Sequence, residues 1–230
     1  MDASVFRDRE RTNILNAWES RIILALCRKI PSWVTPNMLT AVGLLGSFMV
    51  LAGLWMALFA RIFLLFAIAG LAVQWFGDSL DGRLAYYRNI PRKWYGFSLD
   101  ILVDWFSVFL IAVGFYLYLP EYKLLAFAYV LGYGALMMVA LIRYKLSNTY
   151  SIDAFGLGPT EMRIIIAFFL VVEMFRQNTL LQIATIGAII LAVMVLVAIR
   201  SVLQLADRMD EAEKNQQIET SHNPQTEEET

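Results

Sequence analysis

The sequence predicts an all-α integral membrane protein, with six transmembrane helices preceded by a cytoplasmic interfacial amphipathic helix. Three observations carry that expectation. Hydrophobic residues make up 59% of the 230 residues and charged ones only 17%, with a mean hydropathy of +0.57; ordinary soluble domains hold roughly 45–50% and about 25%. The apolar residues gather into six stretches, at 38–60, 62–77, 97–118, 123–142, 162–176 and 179–199, where a straight crossing takes about 20 residues. Lys and Arg are divided unequally between the two ends of these stretches. This composition excludes a soluble globule, a disordered chain and a nucleic-acid binder that relies on a basic surface.

Residues 12–30 open the architecture. Ile14, Trp18, Ile22, Leu26 and Ile30 recur every four residues, Leu15 and Ile23 widen that face, and Arg21, Arg28 and Lys29 lie off it. A helix of this kind lies in the membrane interface rather than crossing it. Pro31 and Pro36 separate it from the first span. The N-terminal stretch MDASVFRDRERTN has charges of both signs and no apolar core, so the first span is the expected insertion signal. Gly43 and Gly46 on that span permit close helix contact. The second stretch is short but gains length from DSLDGRLAYY, which has no Pro. The fifth is short as well; its Glu173 is expected to snorkel or to pair with Arg176.

Threading the six spans in order leaves Arg61, Lys123 and Arg176 on one side and sixteen basic residues at or near the other. Both termini, and the loops after spans two and four, are therefore expected in the cytoplasm. Residues 37–200 form one membrane domain. Residues 207–230 hold eight acidic and two basic residues and predict a disordered cytoplasmic tail.

The chemistry available is limited. Cys27 is the one cysteine and His222 the one histidine, which excludes a disulfide framework, a multi-Cys metal site and a His-based triad. The informative stretch is GDSLDGRLAYYRNIPRKWYGFSLDILVDW, from Gly77 to Trp105. Asp78 and Asp81 are three residues apart and share a helix face, which Gly82 and Ala85 continue. Beyond a basic loop with Pro91, Gly96, Asp100 and Asp104 stand at four-residue spacing on the next helix. Two antiparallel helices thus aim two carboxylate pairs at a common point near the cytoplasmic surface.

A carboxylate at bilayer depth costs roughly 2.5–3.5 kcal/mol, so these acids require compensation. An Asp-Gly turn, or pairing with Arg83 or Arg88, explains one or two of them but not four on converging faces. Four carboxylates match two divalent cations, and oxygen-only ligands suit Mg²⁺ or Mn²⁺. Two such ions could clamp a diphosphate, with Gly82, Ala85 and Gly96 letting it approach the backbone.

These residues resemble the signature of the CDP-alcohol phosphotransferases, D-x2-D-G-x2-A-R-x8/9-G-x3-D-x3-D. It is met here by Asp78, Asp81, Gly82, Ala85, Gly96, Asp100 and Asp104, with Tyr86 in place of the family's Arg. The resemblance extends to Thr35-Pro36-Asn37-x-Leu39-Thr40, to the interfacial helix and six spans, and to a Gly158-Pro159-Thr160-Glu161 turn. It implies an enzyme of phospholipid synthesis that moves a phosphatidyl group from a CDP-linked donor, most often CDP-diacylglycerol, to a small hydroxylated acceptor and releases CMP. By that resemblance Asp78, Asp81, Asp100 and Asp104 hold the metal ions, and Asp104 also deprotonates the acceptor. Gly82, Ala85 and Gly96 line the nucleotide, Asn37 and Thr40 are either nucleotide contacts or helix caps, and Arg83 or Arg88 replaces the missing cation. The family often forms homodimers.

Lys145, Arg163 and Arg200 end or begin later spans on the same side. Positive-inside bias and the helix dipole explain Lys145 and Arg200. Arg163 lies in a first helical turn, where the dipole disfavours a cation, so an anion is expected beside it, with Glu161 the nearest in sequence. A functional reading is a cationic pocket for an acceptor such as inositol phosphate or glycerol phosphate; neutral alcohols such as inositol or serine are the alternative. Transfer of a CDP-choline- or CDP-ethanolamine-type head group to diacylglycerol is the rival within the class. A membrane prenyltransferase also uses paired Asp motifs, but widely separated ones. A transporter would predict broken helices and repeat symmetry, which the sequence does not display.

Overall fold

The computed structural model of the chain describes residues 16–119, 122–147, 159–177 and 179–222, with side chains described between 19 and 215 in those ranges. Ile14, Leu15, the Trp18 side chain, Gly158 and residues 223–230, on which parts of the sequence reading rest, lie outside this set. The described residues are all-helical: α1 (Asn16–Lys29), α2 (Pro36–Met56), a 3-10 turn (Arg61–Phe63) leading into α3 (Leu64–Tyr87), α4 (Lys93–Tyr118), α5 (Lys123–Ser147), α6 (Pro159–Phe175) and α7 (Thr179–His222). Five of these, α2, α3 with its leading turn, α4, α5 and α7, are long and apolar enough to cross a membrane. The fifth apolar stretch forms α6, which has 17 residues.

Helix boundaries follow local chemistry. The Thr35 hydroxyl accepts the Met38 N–H at 3.3 Å, and Pro36 occupies the first helical position, where its missing N–H is no loss. Thr35 is therefore the N-cap of α2, and Asn37 and Thr40, the sequence's capping candidates, sit inside the helix. At the end of α3, Asn89 adopts a left-handed φ of 57°. The Asn89 N–H donates to the Tyr86 carbonyl at 3.0 Å and the Ile90 N–H to that of Ala85 at 2.9 Å. This pair of bonds is a Schellman ending; it turns the chain sharply into α4.

The α2–α3 pair is the spine of the bundle. A Cβ on Gly46 would collide with the backbone of Gln74, and one on Gly77 with the backbone of Gly43. On Gly53 it would lie 2.5 Å from the Ala67 nitrogen. Small residues on both faces let the helices touch main chain to main chain, the packing that associates helices where lipid is as apolar as leucine. The close contact expected of Gly43 and Gly46 is met by Gly70 and Gly77 from α3. Above it, Val50, Leu54, Leu64, Ala67, Leu71, Leu170 and Leu180 form one buried cluster. Below it, Ile23, Cys27, Leu39, Leu80 and Leu84 form a second, which docks α1 on α2 and α3.

Three expectations change. The buried line of α1 is Glu19, Ile23 and Cys27, one residue round from the Ile22–Leu26–Ile30 stripe, because α1 rests on Leu80 and Leu84 of α3. Glu173 does not snorkel: it is 3% exposed, takes the Leu180 N–H at 2.7 Å and the Tyr118 hydroxyl at 3.4 Å. It thereby caps α7 and ties the far end of α6 to α4. Finally, α7 runs for 44 residues to His222, so the segment from 207 to 222, expected to be disordered, is helical. Ala206, Met209, Glu211, Ala212, Glu213 and Lys214 are strong helix formers. They extend a helix already nucleated by the apolar segment, and the sequence has no Gly or Pro there until Pro224.

Candidate functional site

The start of α2, the end of α3 and the starts of α4 and α6 meet at one end of the bundle, and the four aspartates lie there. One carboxylate oxygen from each of Asp78, Asp100 and Asp104 falls within 4.8 Å of the others. Asp78 comes from α3 and the other two from successive turns of α4. Asp81 lines the same cavity, with Thr40, Gly43, Gln74, Val103 and Ser107 completing the wall. The i, i+3 and i, i+4 spacings thus bring both pairs together as the sequence predicts.

The fourth carboxylate is set apart from the other three. Asp81 accepts the Thr40 hydroxyl at 2.6 Å and the Gly82 N–H at 2.5 Å. Thr40 also donates toward the Pro36 carbonyl at 3.2 Å. Its place is therefore beside Asp81 and not at the cap, so α2 supplies a wall of the site.

Arg163 reaches into the cluster from the start of the second turn of α6. Its Nη2 lies 2.5 Å from Asp78 Oδ2, and its Nε donates to Gln74 Oε1 at 3.0 Å. The anion that the helix dipole argument requires is thus Asp78. Neither Lys145 nor Arg200 is among the described residues that line the cavity; both are exposed.

The residues expected around a nucleotide divide. A Cβ on Gly82 or Gly96 would meet nothing within 4 Å, so packing does not demand glycine at either position, unlike Gly46 or Gly77. Ala85 is half-buried one turn beyond Asp81. Asn37 accepts a hydrogen bond from Arg92 and lies 3.5 Å from the Tyr95 hydroxyl, while the Arg92 guanidinium stacks 4.3 Å from the centre of the Tyr95 ring. That cluster stands beside Gly96.

Arg88 is not at the site. Its guanidinium donates to the carbonyls of Val34 and Pro31 at 2.5 and 2.8 Å and of Ser32 and Ile30 at 3.3 Å each. It clamps the α1–α2 linker, where the chain between Pro31 and Pro36 is not helical and its carbonyls need other partners. Arg88→Ala is expected to lower stability by about 2 kcal/mol, since bonds from a charged donor are worth more than neutral ones; a thermal melt of the variant in detergent checks this. Arg83 is near enough to act on the charge of Cys27. Burial nevertheless holds the Cys27 thiol above its usual pKa, with Arg83 and Arg88 opposing it, and Cys27 packs in the lower buried cluster with Ile23 and Leu80.

Two contributors escaped the sequence reading. Gln74 stands four residues before Asp78 on the same face, a spacing that could have revealed it. Glu19 is 4% exposed and binds α3 and α6 from α1, with no sequence pattern to mark it.

Oxygen-only donors from three aspartates, within reach of a shared centre and open to a cavity, are a donor set suited to Mg²⁺ or Mn²⁺. Compared with protein-family models and with curated proteins, the chain matches none.

Proposed function

We propose that the chain is a metal-dependent membrane transferase of the CDP-alcohol phosphotransferase type, which moves a phosphatidyl group from CDP-diacylglycerol to a small hydroxylated acceptor and releases CMP. The observation that carries this reading is the meeting of Asp78, Asp100 and Asp104 within 4.8 Å, with Asp81 on the same cavity. The open faces at Gly82 and Gly96 support it, because no other part of the protein fills the space a ligand would need there.

Asp78, Asp100 and Asp104 would hold the divalent ions, with Asp81 adjoining. A bound ion supplies Lewis-acid stabilisation of the phosphoryl oxygens and of the leaving CMP. Asp104 takes the proton from the acceptor hydroxyl. The acceptor oxygen bonds to the phosphorus that bears diacylglycerol, the bond from that phosphorus to the bridging oxygen breaks, and CMP departs with the electron pair. Gly82, Ala85 and Gly96 admit the nucleotide, and Asn37, held by Arg92, sits at its edge.

The finer topology belongs to the same reading. α6 is the sixth span: Arg163 joins it to Asp78 at one end, and Glu173 to Tyr118 of α4 at the other. α1 lies in the interface in this reading, and the excess of Lys and Arg supports a cytoplasmic side for the carboxylate end and both termini. An acceptor that carries phosphate is supported by the exposed cations Lys145 and Arg200 at the same end of the bundle, whereas Arg163 is engaged by Asp78. Lys145→Ala is then expected to raise the acceptor KM about tenfold with kcat unchanged, the signature of lost binding that ground and transition states share.

The test is CMP release by the purified chain with Mg²⁺ and CDP-diacylglycerol, against inositol phosphate, glycerol phosphate, inositol and serine separately. Release with one acceptor, abolished by chelation, is the expected result. No release with any of them, and turnover instead with CDP-choline and diacylglycerol, would reverse the donor assignment.

A further inference from the structure

Glu19 belongs to α1, outside the carboxylate cluster, yet its Oε1 bridges the two helices that build the Arg163–Asp78 pair. It accepts the Thr160 hydroxyl of α6 at 2.7 Å, the Trp75 indole N–H at 3.3 Å and the Ser79 hydroxyl at 3.4 Å. Trp75 and Ser79 flank Gln74 and Asp78 on α3, the two residues that Arg163 binds. Thr160 lies one turn before Arg163 on α6. The contacts close a ring, from Glu19 to Thr160, along α6 to Arg163, across to Gln74 and Asp78, and along α3 back to Glu19. The Glu19 Oε1 thereby ties the first turn of α6 to α3. Its negative charge also suits the N-terminal end of that helix.

Resting on the metal-binding reading above, we infer that Glu19 is a positioning residue: through Thr160 it seats Arg163 on Asp78 and so sets the divalent-ion affinity of the carboxylate cluster. The guanidinium and a metal ion compete for the same carboxylate charge. While Arg163 is held on Asp78, the cluster offers an ion less negative potential; when the first turn of α6 is released, the pairing loosens and the ion binds more tightly. The direction separates this role from two ordinary ones. Removing a nearby negative charge weakens cation binding, and so does damaging the fold. Tighter binding on loss of Glu19 is expected from positioning alone.

The experiment measures Mn²⁺ binding to the purified chain in detergent by electron paramagnetic resonance, with no substrate present. The wild-type chain is expected to bind Mn²⁺, and Asp100→Asn to weaken it. Arg163→Gln is expected to tighten binding about tenfold, and Glu19→Ala and Thr160→Val about fivefold, the lower end of the usual span of coupling between sites. Thr160→Val keeps the volume, so it reads the missing hydrogen bond even where Glu19→Ala disturbs folding. Glu19→Gln keeps the accepting oxygen and is expected to stay at the wild-type affinity or slightly below it. Thr160→Val added to Arg163→Gln is expected to change nothing further. Unchanged or weaker binding in Thr160→Val, additivity in the double variant, or no Mn²⁺ binding by the wild-type chain would each overturn the inference. A chain that shows the expected pattern but releases no CMP retains the positioning role and loses the transferase reading; one that releases CMP while Thr160→Val leaves the affinity unchanged loses the positioning role alone.

Discussion

Asp104→Asn is expected to lower CMP release about a thousandfold, the range of a lost general base, while the protein still inserts and purifies as the wild type does. The amide keeps the size of the side chain and its place on α4 but cannot take the acceptor's proton. Asp78 and Asp100, whose oxygens lie within 4.8 Å of the altered one, would remain for a metal, with Asp81 on the same cavity. Metal affinity should therefore weaken while binding persists, so that raising Mg²⁺ does not restore turnover. Measuring CMP release across a Mg²⁺ series decides the matter. Recovery to the wild-type rate at high Mg²⁺ would leave Asp104 as a ligand only.

The second large effect separates two kinds of glycine. Gly77→Ala places a methyl group against the Gly43 backbone, and neither chain can yield without parting α2 from α3. Overpacking of this sort costs about 1–3 kcal/mol and sometimes more, and a backbone obstacle puts this site at the upper end. The variant is expected to lose most of its folded yield, with activity falling in proportion. Gly82→Ala and Gly96→Ala meet open space, and in a helix the exchange of Gly for Ala favours folding by about 1 kcal/mol. Those two variants should melt no lower than the wild type yet release CMP far more slowly, because the methyl group occupies nucleotide space. Size-exclusion yield and melting temperature, set beside CMP release, distinguish the two classes. A Gly82→Ala variant with full activity would remove the nucleotide from that face.

The carboxylate cluster could be read in advance because helical spacing alone determines which side chains share a face, and a short loop forces α3 and α4 to run antiparallel. The glycines of α2 and α3 were readable for a similar reason. What could not be read depends on contacts between distant segments. Glu19 looks in sequence like an ordinary acid in the first turn of an amphipathic helix, and only the docking of α1 against α3 buries it. Arg88 looks like a loop cation near a nucleotide site, and only the turn at Asn89 and the prolines of the α1–α2 linker explain its four carbonyl bonds. Arg163 was singled out by its conflict with the helix dipole, but its partner Asp78 lies 85 residues away in sequence. For the segment beyond 207, net charge argued for disorder while residue-by-residue propensity argued for helix; propensity prevails as far as His222.

The claim at the centre of this account is that a phosphatidyl group moves and CMP leaves. The most direct measurement uses CDP-diacylglycerol labelled with ³²P on the phosphorus attached to the lipid, incubated with the purified chain, Mg²⁺ and glycerol phosphate or inositol phosphate. The label is expected to pass into a new lipid containing the acceptor, the released CMP to be unlabelled, and Asp104→Asn to yield neither. Label that stays in CDP-diacylglycerol with every hydroxylated acceptor, while the wild-type protein is folded and binds Mn²⁺, would contradict that claim.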